Sequence, residues 1–259
     1  MTVTAAAGFE AAGIAAGIKR TGALDLALIV NRGPRDAAAA VFTSNRAKAN
    51  PIIWSQQVVL DGAVRAIVLN SGGANCFTGH EGFQVTHRTA EAVASALDIG
   101  AGDVLVCSTG LIGEQLDGEV LEEGVVSAVA RLTTDGGDNA ARAIMTTDSV
   151  PKTAVRTGDG WTIGGMAKGA GMLAPGLATM LVVITTDADL PASDLDTALR
   201  EATRVSFDRL DSDGCMSTND QVTLMASGSS GVVPEASAFT EALTEVCLDL
   251  AMQLLADAE

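Results

Sequence analysis

The feature that most constrains this chain is a glycine-rich stretch that leads directly into an apolar segment. Residues 168–177 read KGAGMLAPGL, and residues 180–184 read MLVVI. Ala178 and Thr179 lie between the two, so a hydroxyl group stands where a pliable loop turns into a buried strand. The pattern predicts a strand over residues 181–186 that begins just after this threonine.

Thr179 would gain unusual chemistry if the peptide bond before it were broken. Glycine permits strained backbone conformations in which the Thr179 hydroxyl attacks the carbonyl of Ala178. The resulting ester hydrolyses more readily than an amide and leaves a free α-amine, whose reference pKa is about 7.7–8.0. Such a residue carries a nucleophile and a base together. On spacing alone, an ordinary threonine after a glycine-rich turn is the favoured interpretation.

Composition narrows the classes of partner. The chain has 259 residues, of which 47% are hydrophobic, and a formal net charge of −16. This acidity argues against binding nucleic acid or an anionic membrane surface, both of which require clustered lysine and arginine. No apolar run reaches the ~18 residues of a membrane span, and the N-terminus does not resemble a signal peptide. We expect a soluble, cytoplasmic protein.

Few residues are suited to hold a metal or a nucleotide. The four cysteines lie far apart without a Cys-x-x-Cys pair, and Cys107 and Cys247 fall in apolar runs typical of core thiols. His80 and His87 have no acidic or cysteine neighbours at metal-site spacing. The chain has no phosphate-binding loop of the Gly-x-x-x-x-Gly-Lys-Ser/Thr type. We therefore expect neither a metal site nor a nucleotide site.

Apolar segments alternate with segments of helical periodicity, as is typical of an α/β protein. Gly158-Asp159-Gly160 predicts a hairpin between two short strands. A buried strand over residues 104–107 is predicted to end in the turn Ser108-Thr109-Gly110. The remaining predicted strands are residues 24–30, 37–43, 63–70 and 222–226, and the predicted helices are residues 86–97, 120–132, 139–145, 194–205 and 238–256.

Five further residues, at three places in the sequence, are candidates for an acyl-transfer site. Backbone N–H groups at Thr109-Gly110, with the Thr109 hydroxyl, could stabilise an oxyanion, although a plain strand-ending turn explains them as well. Thr146 and Thr147 follow a predicted helix and would otherwise be an ordinary helix-ending turn. Lys168 could pair with a substrate carboxylate, or could be a surface charge.

Taken together, these segments resemble the ornithine acetyltransferase family. Residues 168–180, KGAGMLAPGLATM, closely resemble the segment at which that family cuts itself. Five other segments agree in order along nearly the whole chain: GIKRTGALDLALIV from Gly17, AAVFTSNRAKANP from Ala39, VLNSGGANCFTG from Val68, CSTGLIG from Cys107 and IMTTD from Ile144.

The resemblance implies a reaction and a role for each site residue. Family members transfer an acetyl group from N-acetylornithine to glutamate in arginine biosynthesis, and some also use acetyl-coenzyme A as a substrate. By resemblance, the chain cuts itself between Ala178 and Thr179, and Thr179 becomes the nucleophile that carries the acetyl group. The remaining implied roles are an oxyanion hole at Thr109 and Gly110, and substrate binding by Thr147 (with Thr146 as the other candidate), Lys168 and Glu259.

The resemblance also implies an architecture and an assembly. The implied fold is α/β, a four-layer αββα sandwich of the self-processing kind. Residues 1–178 would be the first chain released by cleavage, and residues 179–259 the start of the second, packed in the same main domain. The two would stay together as a heterodimer within a larger homo-oligomer. Family members continue well past residue 259, so we expect a further C-terminal domain to be absent from these residues.

Two other functions remain open on the sequence. A related self-processing peptidase or amidase with an N-terminal nucleophile would use water in place of glutamate as the acyl acceptor. A non-enzymatic domain that binds a small molecule on its glycine loops would stay a single intact polypeptide. The acceptor requirement separates the first alternative from acetyl transfer, and chain integrity separates the second.

Overall fold

The strands form two β-sheets in the computed structural model, which describes residues 2–172, 174–175 and 180–258. Strands and helices are numbered in chain order. The first sheet contains β1 (Phe9–Ile14), β2 (Leu26–Asn31), β4 (Ala66–Gly73) and β5 (Val104–Leu111), in that order across the sheet. The second contains β3 (Ala37–Phe42), β9 (Gln221–Ala226), β8 (Leu181–Thr186), β7 (Thr162–Lys168) and β6 (Lys152–Thr157), again in spatial order.

Six α-helices accompany the sheets in the described part of the chain. They are α1 (Asn50–Val58), α2 (Gly79–Leu97), α3 (Gly118–Val129), α4 (Gly137–Ala143), α5 (Ala192–Val205) and α6 (Ala236–Ala256). Among these described helices, none combines the length and the apolar character that crossing a bilayer requires.

Three apolar cores separate four layers. One core lies between the sheets and includes Ile67 of β4 and Val183 of β8. A second lies between the outer face of the first sheet and helices α2 and α3, and a third between the second sheet and helices α5 and α6. The order is therefore helix, sheet, sheet, helix, which confirms the predicted αββα sandwich.

Strand β8 shows why residues 180–184 are apolar without interruption. Leu181 and Val183 point into the core between the sheets, whereas Val182 and Ile184 point toward the helices. Alternate residues of a strand face opposite sides, so a strand covered on both sides must be apolar at every position. Full burial of each such side chain contributes about 1.5–3 kcal/mol, which fixes this strand firmly in the sheet.

The middle of the second sheet combines distant parts of the sequence. β8 and β9 run parallel to each other, and Leu181 lies opposite Gln221. On their outer sides β8 pairs with β7 and β9 pairs with β3, both antiparallel. Strands that follow residue 179 are thus flanked on both sides by strands that precede it.

Most predicted elements are confirmed; one predicted turn is wrong, and strand β1 and helix α1 were not predicted. The hairpin at Gly158-Asp159-Gly160 joins β6 and β7, with Thr157 opposite Thr162. The predicted turn Ser108-Thr109-Gly110 is wrong, because β5 continues to Leu111 alongside β4. Strand β1 was not predicted from the sequence, since its alanine- and glycine-rich residues have weak strand propensity.

Candidate active site

A cavity of about 810 Å³ opens at the ends of β4, β5 and β7. β4 and β5 are parallel, so their carboxyl ends meet at the same edge of the sheet. The loop of residues 18–23 and the loop that contains Thr146 and Thr147 close its sides. Five sequence-predicted site residues line this one cavity: Thr109, Gly110, Thr146, Thr147 and Lys168.

Gly110 occupies a position that only glycine fits. Its φ angle of 126° lies in the region that favours glycine. A Cβ atom at Gly110 would lie 2.5 Å from the carbonyl carbon of Gly72 on the neighbouring strand. The pairing of β4 with β5 becomes irregular just beyond these two residues. The glycine therefore lets the backbone of β5 pass close to β4 at the surface of the cavity.

Lys168 and Thr109 contact each other directly. Lys168 is the last residue of β7 and is only 2% exposed, and its Nζ donates a hydrogen bond of 3.0 Å to Thr109 Oγ1. A hydroxyl group can accept one hydrogen bond and still donate its own proton. The lysine therefore occupies an acceptor position of the Thr109 hydroxyl and does not compete for its proton.

Burial lowers the pKa of Lys168 to about 8. Removal of the ammonium group from water is the largest cause. The nearby Asp148 opposes the shift, and Lys152 adds to it. Lys168 therefore still carries its positive charge on most molecules at neutral pH, close to the point at which it loses it.

Asp148 holds two sides of the cavity together. Its Oδ1 accepts from the backbone N–H of Gly169 at 2.6 Å and from Lys152 Nζ at 2.7 Å, and its Oδ2 accepts from the backbone N–H of Thr146 at 2.9 Å. Burial raises the pKa of Asp148, but Lys168 and these hydrogen bonds outweigh it and lower the pKa overall. The charged carboxylate thus fixes the threonine loop relative to the end of β7.

Lys152 extends this network to the end of helix α6. Its Nζ is completely buried and also donates to Asp257 Oδ2 at 2.5 Å. The charge of a buried lysine is tolerated only when it is paired and hydrogen-bonded. Asp257 lies just beyond α6, so two carboxylates and one lysine connect that helix end to the wall of the cavity.

Lys19 fixes the remaining side of the cavity. Its Nζ donates to the backbone oxygens of Met145 at 2.7 Å and Leu24 at 3.0 Å. Burial lowers the pKa of Lys19, while Asp25 and Asp148 oppose this shift. The lysine therefore ties the loop of residues 18–23 to the segment that precedes Thr146.

Three sequence-predicted site residues, Ala178, Thr179 and Glu259, lie outside the described residues. Residues close to them in sequence pair with the strand that ends at Lys168 or belong to the buried ion network. Met180 precedes β8, whose first residue, Leu181, lies opposite Lys168. Asp257 belongs to the buried network described above.

Several site residues were not assigned a role from the sequence. Asp148 and Lys19 lie within the IMTTD and GIKRT segments, whose resemblance to the family assigns these two residues no role. Lys152 gives no recognisable pattern, because its second partner, Asp257, lies 105 positions away. Within residues 2–172, 174–175 and 180–258, no group of three histidine, cysteine or acidic side chains is arranged to hold a metal ion. All four cysteines are free thiols.

Comparison with known proteins identifies similar sequences over the whole chain. Residues 10–259 match the sequence model of the ArgJ family. The arginine biosynthesis bifunctional protein ArgJ of Streptomyces coelicolor is 66% identical over 259 residues, which are 100% of this chain and 68% of that protein.

Solved structures are also similar to this chain. The ornithine acetyltransferase of Mycobacterium tuberculosis, crystallised with ornithine, is 56% identical with a TM-score of 0.67, over 70% of this chain and 96% of the solved chain. A β-aminopeptidase from Burkholderia sp. has a TM-score of 0.60 at 17% identity, over 99% of this chain and 86% of that one. At that identity the similarity concerns the fold alone.

Proposed function

The chain belongs to the ArgJ family of bifunctional arginine-biosynthesis acetyltransferases, and we propose that it moves an acetyl group from N-acetylornithine to glutamate through Thr179. The single observation that carries the proposal is the convergence of Thr109, Gly110, Thr147 and Lys168 on one cavity. Strand β8 begins at Leu181, which lies opposite Lys168. Two covalent links limit the distance between the Cα atoms of Thr179 and Leu181 to about 7 Å.

The first step is self-cleavage. The Thr179 hydroxyl attacks the carbonyl carbon of Ala178, the C–N bond breaks, and the acyl group passes from nitrogen to oxygen. Water then hydrolyses this ester, which leaves a carboxylate on Ala178 and a free α-amine on Thr179. The sequence around the bond is rich in glycine, and glycine permits the strained backbone that such an attack needs.

The second step is acetyl transfer in two halves. The α-amine accepts the proton of the Thr179 hydroxyl, whose oxygen attacks the acetyl carbonyl of N-acetylornithine. The negative oxygen that develops is stabilised by the Thr109 hydroxyl and the backbone N–H of Gly110. Ornithine leaves with a proton. The amine of glutamate then attacks the acetyl ester, and Thr179 is regenerated as N-acetylglutamate forms.

Substrate binding in this proposal relies on charge. Both amino acids carry an α-carboxylate, which the Lys168 ammonium group neutralises beside Thr147. Glu259 pairs with a cationic amine of the substrate. The chemistry requires neither a metal nor an organic cofactor, and acetyl-coenzyme A is an alternative acetyl donor.

The length of the solved relative supports the cleavage step. Only 70% of this chain matches 96% of the M. tuberculosis polypeptide, so that polypeptide is shorter than this one. The S. coelicolor relative, in contrast, is longer than this chain. A shortened polypeptide is expected when a family member is cut near the middle. In our proposal the two pieces stay together as a heterodimer, within a higher homo-oligomer.

The decisive test is the intact mass of the denatured protein, followed by an acceptor assay. We expect two fragments that meet at the Ala178–Thr179 bond, and ornithine release from N-acetylornithine that depends on glutamate. An uncut chain that takes up no labelled acetyl group would refute the proposal. Equal release in buffer without glutamate would instead favour the hydrolase alternative.

Glutamate binding by the cut protein is expected to weaken as the pH rises above about 8. The bound carboxylate favours charged Lys168, so the lysine pKa is higher in the complex than in the free protein. Above the free pKa, binding must take up a proton, and the dissociation constant rises up to ~10-fold per pH unit. Isothermal titration between pH 6.5 and 9.5 measures this dependence.

A Lys168→Met variant is the control for the pH dependence. It keeps the volume of the side chain and removes its titration, while the amine of glutamate titrates as before. The variant is expected to bind glutamate more weakly at pH 7 and to show a flatter profile between pH 7 and 9. Coincident profiles for the two proteins would contradict the role of Lys168.

A further inference from the structure

Asp220 holds the backbone immediately after the proposed nucleophile. The residue is completely buried and directly precedes β9. Its Oδ1 accepts a hydrogen bond of 3.1 Å from the backbone N–H of Met180. The next residue, Gln221, donates its own backbone N–H to the carbonyl of Met180 at 3.2 Å. Both polar backbone groups of Met180 are therefore bound by residues 220 and 221.

The surroundings of the Asp220 carboxyl disfavour its charged form. Burial raises its pKa well above the ordinary value, although Ser217, the Met180 N–H, Thr43 and Lys168 favour the charged form. Within the described residues its second oxygen, Oδ2, is buried without a hydrogen-bond partner of good geometry. The neutral acid is the form that such a site favours. A neutral carboxyl still accepts a hydrogen bond through its carbonyl oxygen.

Chain connectivity gives this hydrogen bond a particular importance. The Met180 nitrogen belongs to the peptide unit whose carbonyl is that of Thr179. In the uncut chain Thr179 is held by peptide bonds on both sides. After cleavage at the Ala178–Thr179 bond, the peptide unit bound by Asp220 is the only covalent connection between the nucleophile and the sheet.

We infer that Asp220 is a positioning residue that anchors the peptide unit of Thr179 once the chain has been cut. This inference rests on the proposed function. A chain terminus gains conformational freedom when one attachment is lost, and a displacement of ~1 Å at a reacting atom can reduce the rate about 10²-fold. The Asp220–Met180 hydrogen bond opposes that freedom at the first amide after the nucleophile.

An ordinary structural role makes a different prediction. A buried hydrogen bond at the start of a strand stabilises the fold, and its loss lowers stability wherever it lies in the sheet. Asn31 provides the matched comparison, because its buried amide donates to the backbone oxygens of Arg35 and Ala226. Asn31 is the last residue of β2. The first residue of that strand, Leu26, pairs with Asn70 near the cavity, so Asn31 lies at the end of the strand away from the cavity.

The test compares Asp220→Asn, Asp220→Leu and Asn31→Leu in the full chain. Asparagine has the shape of the neutral acid and keeps an acceptor, whereas leucine fills the space without one. We expect Asp220→Asn to be cut and to transfer acetyl groups within about threefold of wild type. We expect Asp220→Leu to lose roughly 100-fold or more in kcat, with the KM for glutamate changed less than threefold. Asn31→Leu should lose thermal stability but keep its kcat.

The measurements are cut fraction by intact mass, kcat and KM of the cut material, and the melting temperature. If Asp220→Leu yields no folded protein, Asp220→Ser, which withdraws the acceptor from Met180, is measured with the same expectation. If the kcat of Asp220→Leu, or of Asp220→Ser measured in its place, equals that of Asn31→Leu, the inference is overturned while the proposed function stands. Asp220→Asn as inactive as Asp220→Leu would also overturn it. An uncut wild-type chain would refute both proposals.

Discussion

Replacement of Thr179 by alanine is expected to leave all 259 residues in one polypeptide and to abolish acetyl transfer. Without the hydroxyl there is no attack on Ala178, and without the attack there is no free α-amine to act as the base. Loss of a nucleophile in covalent catalysis reduces kcat by roughly 10⁶-fold. Intact mass reports the cleavage, and transfer of a labelled acetyl group from N-acetylornithine to glutamate reports the activity.

Two controls accompany this variant. Thr179→Ser keeps a hydroxyl nucleophile and is expected to be cut and to transfer acetyl groups. Thr197→Ala removes an exposed threonine hydroxyl on helix α5, where it binds the backbone oxygen of Ser193, and should behave as wild type. Cleavage or acetyl transfer by Thr179→Ala at more than a trace level would contradict the proposed nucleophile.

Replacement of Gly110 by alanine is expected to have the second largest effect. The new Cβ would lie 2.5 Å from the carbonyl carbon of Gly72, so β4 and β5 must separate at the edge of the cavity. Alanine at a φ angle of 126° adds about 1–2 kcal/mol of backbone strain. Displacement of the Gly110 N–H would remove an oxyanion donor, which costs on the order of 10²–10³ in kcat.

A Gly113→Ala variant distinguishes the steric clash of a new Cβ atom from the strain of a positive φ angle. It has a φ angle of 86°, and a Cβ there would meet nothing within 4 Å. Gly113→Ala should therefore lose about 1 kcal/mol of stability and keep most of its activity. Thermal melts and steady-state kinetics of both variants measure the difference. If the two glycine variants have equal kcat, the Gly110 backbone does not contribute to catalysis.

The sequence predicted elements best where local pattern and burial agree. Strand β8 was predicted at residues 181–186, because a segment covered on both faces is apolar at every position. The predicted strand over residues 104–107 is too short, because Ser108-Thr109-Gly110 is locally typical of a turn. In the structure, pairing with β4 carries the strand through Gly110. Long-range pairing of this kind is not visible in a single sequence.

The sequence predicted five residues that line the cavity, but it did not predict the contacts that hold the cavity together. Spacing alone left an ordinary alternative for Thr109, Thr147 and Lys168, and the family resemblance favoured the functional one. The buried ion network could not be anticipated, because a lysine such as Lys152 is normally exposed. Its burial depends on Asp148 and Asp257, which only the fold brings to it.

The interleaved strands of the second sheet have a consequence for the two proposed pieces. Strands β8 and β9 lie between β7 and β3, and hydrogen bonds join them to the earlier part of the chain along both edges. Departure of the later piece would break two rows of backbone pairing and open two cores to water. Hydrolysis of the Ala178–Thr179 bond, as proposed, would therefore create a new terminus without creating a separable subunit, and dissociation of the pieces would be equivalent to unfolding.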